Sequence, residues 1–472
     1  MRTACTKKTF KATIVLLGLS LLVAWDPASA QPVDVPPTWG GDIWSRPRLT
    51  GDWGGLRDEL GKKGVVLDVD LLYTPLDVVG GGISTGSAAW GNLDYTLNVD
   101  TQKLGLWPGG FFNFSATTGF GSDLSGKSNA IVPVNTSTLI PGPNDRTTAL
   151  MNATFMQFLS EQFGLVAGKF NTLGASSEQE FYGDYHTQFL NMAFDFPVIL
   201  EQVPVSAFGG GIIGLPTKDI VLSVIALDPN GTPTSNDLAH AFSNGVLVTG
   251  SGQMTIRPFG LVGHQILGFS WRNEEVFSLQ QEPSNLAALL IEGQFPRLGD
   301  AGQVLAEILA HFFPNLPPGE PPNRLNSSWS AYYSFDQYFW QPAGDPKRGI
   351  GAFFSAGVTD GNPNPIKYAL MGGIGGKGVV PGRPDDSFGV GVAQTHFSDE
   401  FVPFLRQHLN LGLDNENTLE MYYNFAVTKW LAVSADLQII DPALKKALSP
   451  SGPGLTNVST TTVVGIRIRA RF

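Results

Sequence analysis

The chemistry-bearing residues of this chain recur at a spacing of two. Arg467, Arg469 and Arg471 alternate with Ile466, Ile468 and Ala470 at the C-terminus, and Asp68 and Asp70 follow the first apolar run. Asp94 and Asn98, Glu420 and Asn424, and Asp436 lie in similar alternating stretches. A guanidinium carries only donors and a carboxylate only acceptors. Side by side they neutralise each other, or they offer a hydroxylated solute both halves of a hydrogen-bonding surface. Paired acids such as Asp68 and Asp70 also suit glycoside hydrolysis, but same-face acids on a strand are more often ion-pair partners or lining. Two catalytic motifs lack their context. G-x-S-x-G at residues 82–86 sits in a Gly/Ser-rich turn without the strand–helix elbow. G-x-G-x-x-G at 373–378 has no helical pattern after it. The six histidines are scattered, with no H-x-x-x-H pair. No catalytic residue, metal or cofactor is expected.

A period of two belongs to β-strands, whose side chains point alternately to opposite faces. In the last strand Val464, Ile466, Ile468, Ala470 and Phe472 share one face, and the arginines share the other. The same alternation runs from Val65 to Tyr73, through 92–100 and 112–120, and along 352–359, 388–392, 419–427 and 431–439. Residues 163–170 and 219–227 read as strands of undecided facing, and 329–340 as a strongly aromatic strand. Ahead of the first strand, Trp53, Leu56 and Leu60 follow helical spacing, with Asp52 placed to cap and Gly64 to stop a short amphipathic helix.

The N-terminus reads as a secretory signal over residues 1–30: a basic start, an apolar run and an A-S-A cleavage site. The lead-in and helix then span 31–64, and 65–472 is the main body. The only cysteine, Cys5, lies in the signal, so no disulfide is expected. The net charge is −11, and losing a leader with four basic residues and one acid makes the mature chain more acidic, which excludes a nucleic-acid partner. Sparse charge (15%), abundant glycine (56) and no spanning apolar run after the signal fit an all-β outer-membrane antiparallel barrel in contact with lipid. Barrel closure would pair the first strand with the last, bringing Asp68 and Asp70 level with the arginines. Residues 80–91, 122–146 and 283–324 read as long outer loops, at least one able to fold inward.

The stretch L-T-G-D-W-G-G-L-R-D-E-L-G-K-K-G-V-V-L-D (49–68) resembles the opening signature of the carbohydrate-selective porin (OprB) family. G-R-P-D-D at 382–386, followed by F-G-V-G-V-A, resembles its second signature, and the ending R-A-R-F fits as well. The resemblance covers about 49–472. It implies a 16-stranded barrel with a short N-terminal helix and long extracellular loops. It implies facilitated diffusion of small carbohydrates such as glucose, through a constriction made by in-folded loops; the sequence leaves monomer and homotrimer both open. Arg467, Arg469, Arg471, Asp68, Asp70, Asp94, Asn98, Glu420, Asn424 and Asp436 are the expected pore lining. Two rivals stand beside this reading: a general or anion-preferring porin, in which the arginines dominate the field, and a plugged barrel acting as an enzyme or binding protein.

Overall fold

A computed structural model of the chain describes residues 35–143, 145–173, 179–195, 197–236, 238–281, 323–400, 415–448 and 455–472. Among these, sixteen strands close into an antiparallel barrel in which chain neighbours pair and the first strand meets the last. They are β1 (Val65–Gly82), β2 (Gly86–Asp100), β3 (Gly110–Gly121), β4 (Thr148–Ser160), β5 (Phe163–Asn171), β6 (Ser206–Thr217), β7 (Ile220–Leu227) and β8 (Gly245–Ile256). The second half comprises β9 (Gly263–Glu274), β10 (Ser328–Trp340), β11 (Gly349–Thr359), β12 (Ile366–Lys377), β13 (Ser387–Phe397), β14 (Glu416–Ala426), β15 (Leu431–Asp441) and β16 (Ser459–Arg471). Both ends of the barrel sequence meet at one rim, where connections such as 161–162, 218–219 and 427–430 are short. The opposite rim carries 122–147, 172–205 and 228–244. This asymmetry is that of outer-membrane barrels, with short turns on the periplasmic side.

Exposure settles which face meets what. On β16, Ile466 is 49% exposed while its neighbour Arg467 is 1% exposed. An apolar face turned outward and an arginine face buried inverts a water-soluble fold and suits lipid outside with a polar interior. Leu67, Tyr95, Ile212, Leu267, Trp271 and Val392 continue the outward apolar surface. The closing register sets Asp70 opposite Arg471 and Leu72 opposite Arg469.

One loop expectation changes. Residues 80–91 are not a long loop: β1 and β2 run to a turn at 83–85, and Gly80 to Gly82 mark register shifts against β16. A Cβ on Gly81, at φ +71°, would strike the Thr460 carbonyl, so glycine here serves a bulge. Residues 122–146 do leave the outer rim, but from Ser128 to Pro141 the chain is buried inside the barrel. Most of 283–324 lies outside the described residues, as does the expected signal at 1–30.

The helix α1 (Leu56–Lys62) ends as expected before Gly64 at φ +77°. Asp52 is not its N-cap. Gly55 holds that position, while the Asp52 carbonyl accepts from the amides of Gly55 and Arg57. The helix delivers Arg57 to the seam of the barrel. Arg57 is buried and donates to Leu67 O (2.7 Å), Asp68 (2.8 Å) and the carbonyl of Phe472 (3.0 Å). Its guanidinium lies 5.4 Å from the Trp39 ring and 4.8 Å from the Trp53 ring. Arg48 reaches the same Asp68 at 2.6 Å, and the Leu49 amide donates to Arg471 O. Residues 49–68 are therefore a clamp across the first–last strand junction. Residues 382–386 form a second staple. Arg383 bonds Asp386 at 2.9 and 2.8 Å and covers Phe425 at 3.6 Å. Asp386 also accepts from Tyr423 and from the amide of Ala426, which fixes the β12–β13 turn to the end of β14.

Candidate functional site

The inward column of β2 reads the barrel from top to bottom. Asn92 donates to Ile140 O of the β3–β4 loop (2.8 Å). Asp94 accepts from Thr117 and contacts His186 of the β5–β6 loop at 3.2 Å. Asn98 accepts from Asn113. Asp100 accepts from the amides of Gln102 and Lys103 in the periplasmic turn. Two loops thus fill the upper and middle lumen, and the lower lumen carries polar side chains.

Irregular backbone inside a barrel must find partners for its N–H groups. Two carboxylates on one face of β14 do this. Glu416 accepts from the amides of Ile131 and Val132, both at 2.8 Å. Glu420, four residues on, accepts from the amides of Leu190 (2.5 Å) and Asn191 (3.0 Å). Gln438 on β15 holds both loops, donating to Val134 O and accepting from the Asn191 amide group. The loops also bond each other, through Thr136 N to Leu190 O and Met192 N to Pro133 O. Elsewhere the β5–β6 loop is held by Asp336 at the Glu180 amide (3.1 Å), by Arg467 at Tyr185 O (2.8 Å) and by Asn364 at Ile199 O (2.9 Å).

The wall beneath that loop is paved with glycine. A Cβ on Gly375 would stand 2.7 Å from Phe181, one on Gly389 2.8 Å from Phe189, one on Gly391 2.6 Å from Phe194 and one on Gly357 2.6 Å from Ile199. On Gly351 it would overlap the Phe181 ring. Missing side chains on β11–β13 let the loop's aromatics lie directly on strand backbone. Phe189 then stacks on Phe194 (4.6 Å) and meets Tyr422 edge-on (4.8 Å).

His186 is the polar hinge of this arrangement. It sits between Asp94 (3.2 Å) and Asp184 (3.1 Å) and stacks on Tyr185 (4.1 Å). Burial opposes its charge, but hydrogen bonds to both aspartates outweigh that and raise its pKa to about 9. Burial likewise disfavours charged Asp184, yet bonds from His186 and Thr187 hold it well below the usual carboxylate range. Burial pushes Asp195, also beside Asp184, up to about 7. Near the seam Arg469 pairs with Asp70 at 2.5 Å, and Arg471 lies 3.8 Å from the same carboxylate.

The ten expected lining residues separate into groups. Arg469, Arg471, Asp70, Asp94 and Asn98 border the lumen on the β16–β2 arc, and Asp68 is covered by Arg48 and Arg57. Glu420, Asn424, Asp436 and Arg467 are buried under the in-folded loops. Asn424 accepts from Ser434 there, and Asp436 accepts from Gln438. The sequence reading passed over Asp184, Tyr185, His186 and Glu416. Only Glu416 left a signal, standing two strand repeats before Glu420. A cavity of about 310 Å³ opens below, lined by Asn98, Phe111, Asn113, Thr154, Met156 and Phe170 among others. A second, of about 630 Å³, lies at the outer rim between residues 141–145, 201–205 and 229–234.

Comparison with known proteins adds to this geometry. The profile of the carbohydrate-selective porin, OprB family, matches residues 84–472. Porin B of Pseudomonas aeruginosa is 24% identical over 459 residues, covering 90% of this chain and 91% of the relative. The high-pH structure of Pseudomonas putida OprB aligns with TM-score 0.72 at 21% identity, over 92% of this chain and 100% of that one. The low-pH structure of the same protein aligns with TM-score 0.53 at 17% identity, over 91% and 99%. At these identities the structural likeness speaks for the fold.

Proposed function

The chain belongs to the OprB family of carbohydrate-selective porins, integral barrels of the outer membrane, and on that premise we propose that it passes neutral monosaccharides such as glucose into the periplasm by facilitated diffusion. One observation carries the choice of neutral solutes: the charges that border the lumen are paired. Arg469 faces Asp70, and His186 faces Asp94 and Asp184. Paired charges cancel the field felt by an ion but keep donors and acceptors in place for hydroxyl groups. The rival anion-preferring porin needs arginines exposed to attract anions, and Arg467 is buried, donating to Tyr185 O and Ser434.

The test is single-channel recording of the purified protein in a planar bilayer. Glucose is titrated at fixed salt, then sucrose, and the reversal potential is read in a salt gradient. Saturable block by glucose with a near-zero reversal potential supports the reading. Open channels that ignore sugar and select strongly for chloride would replace it with the anion porin.

A further inference from the structure

We infer that the lower-lumen cavity is a sugar subsite in which the side-chain amide of Asn98 is the hydrogen-bond donor. This rests on the reading above and names one contact within it.

The argument begins at a backbone group. The amide of Asn171 donates to Asn152 Oδ1 (3.2 Å), which fixes which way the Asn152 side chain faces. Its Nδ2 then donates to the main-chain carbonyl of Asn113 (3.0 Å), to Asn113 Oδ1 (2.5 Å) and to Thr154 Oγ1 (3.1 Å). With Asn113 Oδ1 committed to Asn152, its Nδ2 must turn the other way, and it donates to Asn98 Oδ1 (2.5 Å). The polarity therefore runs in one direction across three adjacent strands, β4 to β3 to β2. It ends at Asn98 Nδ2, for which the described residues offer no acceptor. An amide that ends such a relay is both oriented and polarised by the bonds behind it.

That terminal donor borders the 310 Å³ cavity. Its other lining is mixed: Asp100, Lys103, Asn113, Asn152 and Thr154 supply polar groups, and Phe111, Met156, Phe170 and Ile225 form an apolar wall. The volume lies at the small end of ligand sites, where apolar walls bury the ligand and a few polar groups orient it. Polar groups beside an apolar wall suit a single sugar ring: a hydroxyl or ring oxygen accepts from Asn98, and a C–H face lies against Phe111 or Phe170.

The test uses full-length protein in planar bilayers with D-glucose as blocker. Asn98→Asp keeps the acceptor that Asn113 needs but removes the donor at the cavity; Asn98→Leu removes both. Unblocked conductance and the heat-induced shift of the folded band on gels are read alongside. The expected result is that both variants still form open channels while the half-blocking glucose concentration rises about tenfold, the value of one lost donor of roughly 1.4 kcal/mol. If wild-type channels are blocked by glucose and both variants are blocked equally well, the subsite is overturned and the sugar-porin reading stands. If no sugar affects the wild-type current, that reading falls and takes the subsite with it. Should Asn98→Leu fail to close into a barrel, Asn98→Asp decides alone.

Discussion

The inner wall of this barrel has two halves built from the same alternating strands and put to opposite use. On β10–β15 the inward positions are glycines, which receive aromatic rings, and carboxylates, which receive loop backbone. On β1–β7 they are a relay of amides, paired charges and apolar side chains facing a cavity. One half is a bed for the constricting loop; the other meets that loop through Asp94 and leaves its lower part uncovered. A side chain's face alone does not say which role it has; the loop that lands on it does.

The difference is open to being broken, and the largest effect is expected at Glu420. Glu420→Ala leaves the buried amides of Leu190 and Asn191 without their acceptor, at a cost of about 3–5 kcal/mol. Heat-induced gel shifts should move to lower temperature, and single-channel conductance should rise as the loop lifts. Unchanged conductance would mean that Glu420 does not hold the constriction. Next comes Gly351→Leu, whose side chain needs the space of the Phe181 ring. Overpacking of this kind costs about 1–3 kcal/mol, and the open current should become noisier. Gly214→Ala is the control, because a Cβ there meets nothing nearer than 3.8 Å.

His186 gives a smaller, reversible effect. Its folded pKa of about 9 lies above its ordinary 6.5, so its contribution to loop docking is complete below about 6.5 and is lost as the pH climbs through about 9. Asp184 is depressed, so its share is present above its ordinary 3.8 and lost only as the pH falls through its lowered folded value. Gating noise should therefore be low at neutral pH and rise toward pH 10, and His186→Gln should abolish that rise. A pH-independent record in wild type would remove His186 as the hinge. Arg471→Ala should do least, about 0.5 kcal/mol or less, because it stands 3.8 Å from Asp70 and a third of its side chain is exposed.

Strand chemistry at both chain ends was legible, because period-two alternation survives wherever one face meets lipid. Closure alone set Asp70 level with the C-terminal arginines; its pairing with Arg469, and the capture of Asp68 by Arg48 and Arg57, depended on the register and the lead-in. The segment 172–205 was not legible. It has no period, since its order comes from carboxylates and glycines two hundred residues away, and a propensity reading sees only loop. Strands β6 and β12 were hidden for a related reason: glycine holds inward positions where alternation would otherwise show. The G-x-G-x-x-G run proved to be the lower end of β12, with Gly375 under Phe181.

The seam clamp bears on how the barrel is assembled. Arg57 bonds the carbonyl of Phe472, which lies 415 residues further along the chain. Arg48 and Arg57 can hold Asp68 and Leu67 on β1 alone, but the bonds to Phe472 and Arg471 form only when β1 and β16 lie side by side. The complete clamp is therefore a mark of a closed seam: a protease that cuts around Trp44 and Trp53 should cut open barrels faster than closed ones.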